Sequence, residues 1–111
     1  MTDGRPRVLF RIVLTDPPTL FDFTSKAALG ITCRDPNPDV RRLWSGLSMF
    51  ATEAQVRRTA RRFPILGAFI AVLQIPDVPR VVVERTLGPG HHTVWGSPDY
   101  LVVSVVSVIV V

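Results

Sequence analysis

The segment Gly46–Arg62 limits the possible folds of this chain more than any other, because a short apolar strand, Gly46–Phe50, leads straight into a helix with both ends marked. Thr52 followed by Gln55 has the spacing of a capping box, in which the two side chains satisfy free N–H groups of the first turn. Glu53 suits the positive end of the helix dipole, and Pro64 stops the helix at about Phe63. Val56, Ala60 and Phe63 recur at helical spacing, while Arg57, Arg58, Arg61 and Arg62 share the opposite side. A helix with one apolar stripe needs a surface to lie on, and the rest of the chain is written mainly as strands.

Arg7–Leu14 alternates as a strand, with Val8, Phe10, Ile12 and Leu14 on one face and Leu9, Arg11 and Val13 on the other. Asp16-Pro17-Pro18 ends it, and Leu20, Phe21 and Phe23 are expected to pin the following loop to the core. Phe23–Ala28 reads as a short helix ending at Gly30, and Arg34–Asp39 as a turn-rich surface loop before order returns at Leu43-Trp44. Ala68–Ile75 is a further strand, with Val81–Thr86 as its hairpin partner. The run Tyr100–Val111 is rich in branched side chains and lacks clean alternation, which predicts a strand central in the sheet and covered on both faces. The pattern predicts an α+β fold: a small mixed or antiparallel sheet of five or six strands with one main amphipathic helix and a second short one.

With 111 residues and no long low-complexity linker, the chain is expected to form a single domain, residues 1–111. A hydrophobic content of 47% offsets the entropy of ordering and argues against disorder. Cys33 is the only cysteine, and Met1–Arg5 leads into too short an apolar segment for a signal peptide, so a reducing, cytoplasmic setting is expected. The valine-rich run is shorter than the roughly 20 residues a membrane-spanning helix needs, so no membrane association is expected. The charge of +4 comes from arginine, which outnumbers lysine twelve to one. Arginine suits phosphate and carboxylate recognition, yet the stripe Arg57–Arg62 reads first as a solvated helix face and only second as a nucleic-acid contact.

Several residues invite a chemical reading. Arg11 stands among apolar neighbours, so it either snorkels at a sheet edge or lines a cleft where an anion or dipole compensates it. Ser48 is a hydroxyl on a strand face expected to be partly buried, and its ordinary role is a bond to neighbouring backbone. Glu84, one of two glutamates, either faces solvent or places a carboxylate in a cleft. Gly88–Gly96 reads as a loop that offers His91, His92 and Trp95 to a ligand. Adjacent histidines on an extended chain point apart and no third ligand is suitably spaced, so no metal site is expected. A phosphate-binding glycine loop and a serine-hydrolase elbow are both missing from the pattern.

The order of these elements resembles the ADP-ribosyltransferase-like superfamily: a first strand with Phe10-Arg11, a Gly46-Leu47-Ser48 strand opening onto a helix, and Phe69–Leu73 in a later strand. That superfamily includes mono-ADP-ribosyltransferases, RNA 2′-phosphotransferases and RES-domain NAD-degrading toxins. The resemblance implies NAD as co-substrate, Arg11 holding the dinucleotide, Ser48 supporting nicotinamide or ribose, and Glu84 as the carboxylate that assists at the ribose carbon. It also implies closure of His91, His92 or Trp95 over the ligand. The family's paired Glu-x-Glu or Gln-x-Glu is missing, so Glu84 takes its role by position alone. The other readings are a non-catalytic module that binds a partner protein, and a nucleic-acid binder using the basic helix.

Overall fold

The computed structural model describes residues 7–111, and the opening Met1–Arg5 segment lies outside the described residues. Nine regular elements follow in order: β1 (Arg7–Val13), α1 (Pro38–Trp44), β2 (Leu47–Phe50), α2 (Glu53–Arg62), β3 (Phe69–Ile75), β4 (Val82–Arg85), β5 (His91–Trp95), α3 (Pro98–Val102) and β6 (Val105–Val110). Short 3-10 turns stand at Leu20–Phe23 and Pro64–Leu66. The six strands make one antiparallel sheet in the order β4-β5-β2-β1-β3-β6, so the α+β expectation holds.

The sheet is divided at its centre. β1 pairs with β3 along its whole length, and β2 pairs with β5 along its whole length, but β1 and β2 are bridged at Phe10↔Phe50 alone. Two three-stranded ladders, β4-β5-β2 and β1-β3-β6, therefore meet along a seam that is largely open in main-chain pairing.

Alternation along the strands sorts the side chains onto two faces. One carries Leu9, Val13, Leu47, Met49, Ala71, Leu73, Ile75 and Val94, all buried, and is closed by Phe23 of the first 3-10 turn and Leu101 of α3. Burying side chains such as Phe23, Leu9 and Met49 contributes about 1.5–3 kcal/mol each, so this face is the main source of stability. Against the other face lies α2, which contacts β1 and β2 and buries Val56 and Ala60. The helix starts as read, with the Thr52 hydroxyl accepting from the Gln55 N–H at 3.2 Å.

Several expectations are corrected. The C-terminal run is not a central strand: its first part is α3, and β6 lies at the sheet edge with Val106 and Val110 exposed. β4 does not pair with β3, because Pro76–Pro79 carries the chain away; β3 runs between β1 and β6, and the hairpin partner of β4 is β5. β5 occupies the segment read as a ligand loop. Phe23–Ala28 is not a helix, since the 3-10 turn precedes it and Lys26–Gly30 forms only hydrogen-bonded turns. Leu20, Phe21 and Phe63 are exposed, so of the three apolar residues expected to pin the first loop only Phe23 does so, and Phe63 lies past the buried stripe of α2. The loop read at Arg34–Asp39 gives way at Pro38 to α1, whose start is capped by the Asn37 side chain accepting from the Asp39 N–H at 2.9 Å.

Candidate functional site

Ser48, Thr93 and Glu84 form one row across three adjacent strands: Ser48 pairs with Thr93, and Thr93 with Glu84. Directly paired residues share a face, and strands stand about 5 Å apart, so the Ser48 and Glu84 backbones are about 10 Å apart with Thr93 between them. The same alternation puts Trp95, His91 and Thr86 on this face. Ser48 is exposed rather than partly buried, because its strand turns Leu47 and Met49 into the core instead. Thr93 is buried and forms the floor.

The row is held by hydrogen bonds. The hydroxyls of Thr86 and Thr93 lie 2.7 Å apart, and the Thr86 hydroxyl also reaches His91 Nδ1 at 3.2 Å. The ring of His91 meets Phe50 edge to face with centroids 5.3 Å apart. Burial lowers the pKa of His91 below its ordinary value and favours the neutral imidazole, against a smaller opposing effect of its bond to the Thr86 carbonyl. Gly46 is required beneath Trp95: a Cβ there would run into Thr93 Cγ2 and approach the indole. The indole N–H donates to the Ser45 hydroxyl at 3.0 Å, which lays the ring across the end of α1.

Arg42 joins the cluster from α1. Its Nη2 donates to Glu84 Oε2 at 2.8 Å, and its guanidinium lies 4.8 Å from the Trp95 ring centroid. Both partners of the ion pair are about half exposed, so the pair is exchangeable rather than structural. This face thus presents a carboxylate, an arginine, an aromatic plane and free or bridging hydroxyls. Beside it the turn Arg85–Pro89 borders an open hollow of about 320 Å³.

Arg11 and His92 belong to the opposite face. Arg11 shares the alternation of Leu9 and Val13, and its guanidinium enters the seam between β1 and β2. There Nη1 donates to the Ser48 main-chain oxygen at 2.8 Å and Nε to the Asp22 main-chain oxygen at 2.7 Å. Desolvation pushes its pKa down to about 10, against a smaller upward pull from Asp22. Arg11, expected as the dinucleotide ligand, supports the main chain under Ser48 and does not face the Glu84 cluster. His92 pairs with Met49 and Arg85 on the core side. Burial, then the charge of Arg7, lowers its pKa, and its Nδ1 is buried without a hydrogen-bond partner among the described residues.

The loop that supplies the Asp22 carbonyl is itself anchored by the buried Asp22 carboxylate, which accepts from the Leu14 N–H at 2.8 Å and the Thr19 N–H at 2.9 Å. Sequence reading did not single out Asp22, Arg42 or Thr93. For Arg42 the available signal was Asn37-Pro38-Asp39, a cap followed by proline at the first helical position, which makes the following arginines helical. The basic stripe of α2 is reduced because Arg57 folds back onto Glu53 at 2.9 Å and onto the Val110 carbonyl at 3.0 Å. Among the described residues, no three His, Cys, Asp or Glu side chains cluster as metal ligands, and no helix is long and apolar enough to cross a membrane.

No protein-family model, curated protein or solved structure matches this chain.

Proposed function

We propose that the chain is an ADP-ribosyltransferase-like domain that takes NAD on the β4-β5-β2 face, with Arg42 in the anion-binding role first assigned to Arg11. The observation that carries this reading is the row Ser48–Thr93–Glu84, with Trp95 and Arg42 beside it, drawn together from segments up to about fifty residues apart. An arginine already seated over an indole suits a ligand with both a phosphate and a planar ring. Pyrophosphate entering this face would compete for Arg42 and release the Glu84 carboxylate. Glu84 then stabilises positive charge at the ribose carbon while the bond to nicotinamide breaks and its electron pair leaves with the nicotinamide nitrogen. Water or an acceptor nucleophile adds to that carbon and loses a proton, and the exposed Ser48 hydroxyl orients the ribose. Support for the reading is the grouping of four of the six predicted site residues, Ser48, Glu84, His91 and Trp95, on one face.

NAD at ten times its dissociation constant stabilises a folded domain by about 1.4 kcal/mol, or roughly 5–10 °C in melting temperature for a chain of this size. The expected result is such a rise, lost in Arg42→Ala and kept in Glu84→Gln, with nicotinamide release abolished in Glu84→Gln. An unchanged melting temperature at millimolar NAD would overturn the proposal.

A further inference from the structure

The edge of the sheet carries an inference that does not depend on the NAD reading. β6 is a terminal strand, and from Tyr100 to Val111 no residue is charged and none is proline. Edge strands usually carry a lysine, a proline or a covering segment, because a bare edge offers unpaired N–H and C=O groups to other chains. Here Val106 is 55% and Val110 66% exposed, values that mark an uncovered apolar edge.

The ladder fixes which main-chain groups face outward. The Val111 N–H donates to the Ala68 carbonyl, and Val110, Ile109 and Val108 pair in register with Phe69, Ile70 and Ala71. Hydrogen-bonded pairs alternate in an antiparallel ladder, so Ile109 bonds inward like Val111, and Val108 and Val110 turn their N–H and C=O away from β3. The Arg57 guanidinium, donating to the Val110 carbonyl from outside the ladder, agrees with this direction. Beyond Ser107 the register shifts, so the regular outward edge is the short segment around Val108–Val110.

We infer that β6 pairs with β6 of a second copy of this chain, antiparallel about a two-fold axis at Ile109. Val108 of each copy then lies opposite Val110 of the other, and each such pair exchanges two main-chain hydrogen bonds. The segment is its own complement: valine meets valine, and the strand itself carries no charge, so the cation opposing a second copy is the Arg57 guanidinium at the Val110 carbonyl. The sheet continues from one copy into the next as twelve strands. Arg57 acts as a gate on this edge, since its bond to the Val110 carbonyl occupies one acceptor that the second copy needs.

Sedimentation of the intact chain from about 1 µM to about 1 mM is expected to show conversion from one to two copies in mass. Val110→Lys, at an exposed position, should keep the fold by circular dichroism and remain single throughout. Arg57→Gln should move the conversion to at least threefold lower concentration. In a Cys33→Ser background, Ile109→Cys should crosslink under mild oxidation and Ser107→Cys should not, because residues facing across the axis are about 4.5 Å apart at Cα, within disulfide reach. A mass of one copy at every concentration, or crosslinking at Ser107→Cys instead of Ile109→Cys, overturns the inference. Loss of NAD binding would leave it standing.

Discussion

Arg11 decides whether the divided sheet is held as described, and its replacement gives a measurable consequence. Arg11→Met keeps most of the aliphatic stem and removes the guanidinium that donates to the carbonyls of Asp22 and Ser48 at 2.7 and 2.8 Å. A polar group left unsatisfied in a partly buried place costs about 1–3 kcal/mol, so two carbonyls give about 2–6 kcal/mol. Two effects act against this. The guanidinium is poorly solvated, which lowers its pKa to about 10, so removing it relieves part of a desolvation cost. The Ser48 carbonyl also lies near the surface, where water replaces some of the lost bond. The expected net loss is about 2–3 kcal/mol, at the low end of the range. Urea denaturation reads this directly: with a slope of about 1.5 kcal/mol per molar, the midpoint falls by roughly 1.3–2 M and the slope stays the same. Arg11→Lys should lose nearly as much, because one ammonium at the end of a flexible stem does not bridge both carbonyls in the geometry of a planar fork. A loss below about 0.5 kcal/mol for Arg11→Met, or full stability in Arg11→Lys, would refute the view that this side chain joins the two ladders.

Two further outcomes follow from the same face and its neighbours. His91 and His92 both have pKa values lowered mainly by burial, so the unfolded chain binds more protons just below the ordinary value of 6.5. Their contribution to stability is therefore complete above that value and is lost as pH falls through the lowered folded values; melting temperature between about pH 7.5 and 5 should fall, and fall less in a His91→Gln, His92→Gln double variant. A profile that rises on acidification would contradict the burial of both rings. Gly46→Ala places a methyl group against Thr93 Cγ2 and within 2.9 Å of the Trp95 ring, which should cost about 1–3 kcal/mol and shift Trp95 fluorescence. A neutral effect on both readouts would mean that the indole does not lie over this glycine.

The parts of the fold that were legible in the sequence are those with local causes. α2 was readable because Thr52 caps it and Pro64 follows it, and a cap is a bond between near neighbours; the Gln55 side chain, expected to complete the box, donates instead to the Pro89 carbonyl. Leu9, Arg11 and Val13 were correctly grouped by alternation, but alternation alone does not say which face meets the core. The pairing of β4 with β5 rather than β3 was hidden because strand order is settled by contacts distant in sequence. The C-terminal run misled for a related reason: an apolar strand without alternation reads as covered on both faces, whereas here it stands at an edge. α1 was concealed by its prolines, which were counted as loop formers although Pro38 sits where a helix accepts one. The candidate site was half readable. Ser48, Glu84, His91 and Trp95 meet because their strands alternate in phase, while Arg42 arrives from a helix whose placement no local pattern encodes.

The seam between β1 and β2 relates the fold to the site. A continuous ladder would satisfy the Ser48 carbonyl with a main-chain N–H, and Arg11 would then have no place in the sheet except as a costly buried charge. Because the strands part after Phe10↔Phe50, the carbonyl needs a donor, and the guanidinium provides one from the core side. That bond fixes the main chain of Ser48 while leaving its hydroxyl free on the opposite face, where Thr93 and Glu84 lie in the same row. Arg11, expected to touch a ligand, thus bears on Ser48 through the backbone, and the arginine on the face of Ser48 and Glu84 is Arg42. Arg42, unlike Arg11, is held by a half-exposed carboxylate, so its ion pair with Glu84 is the exchangeable contact of this face.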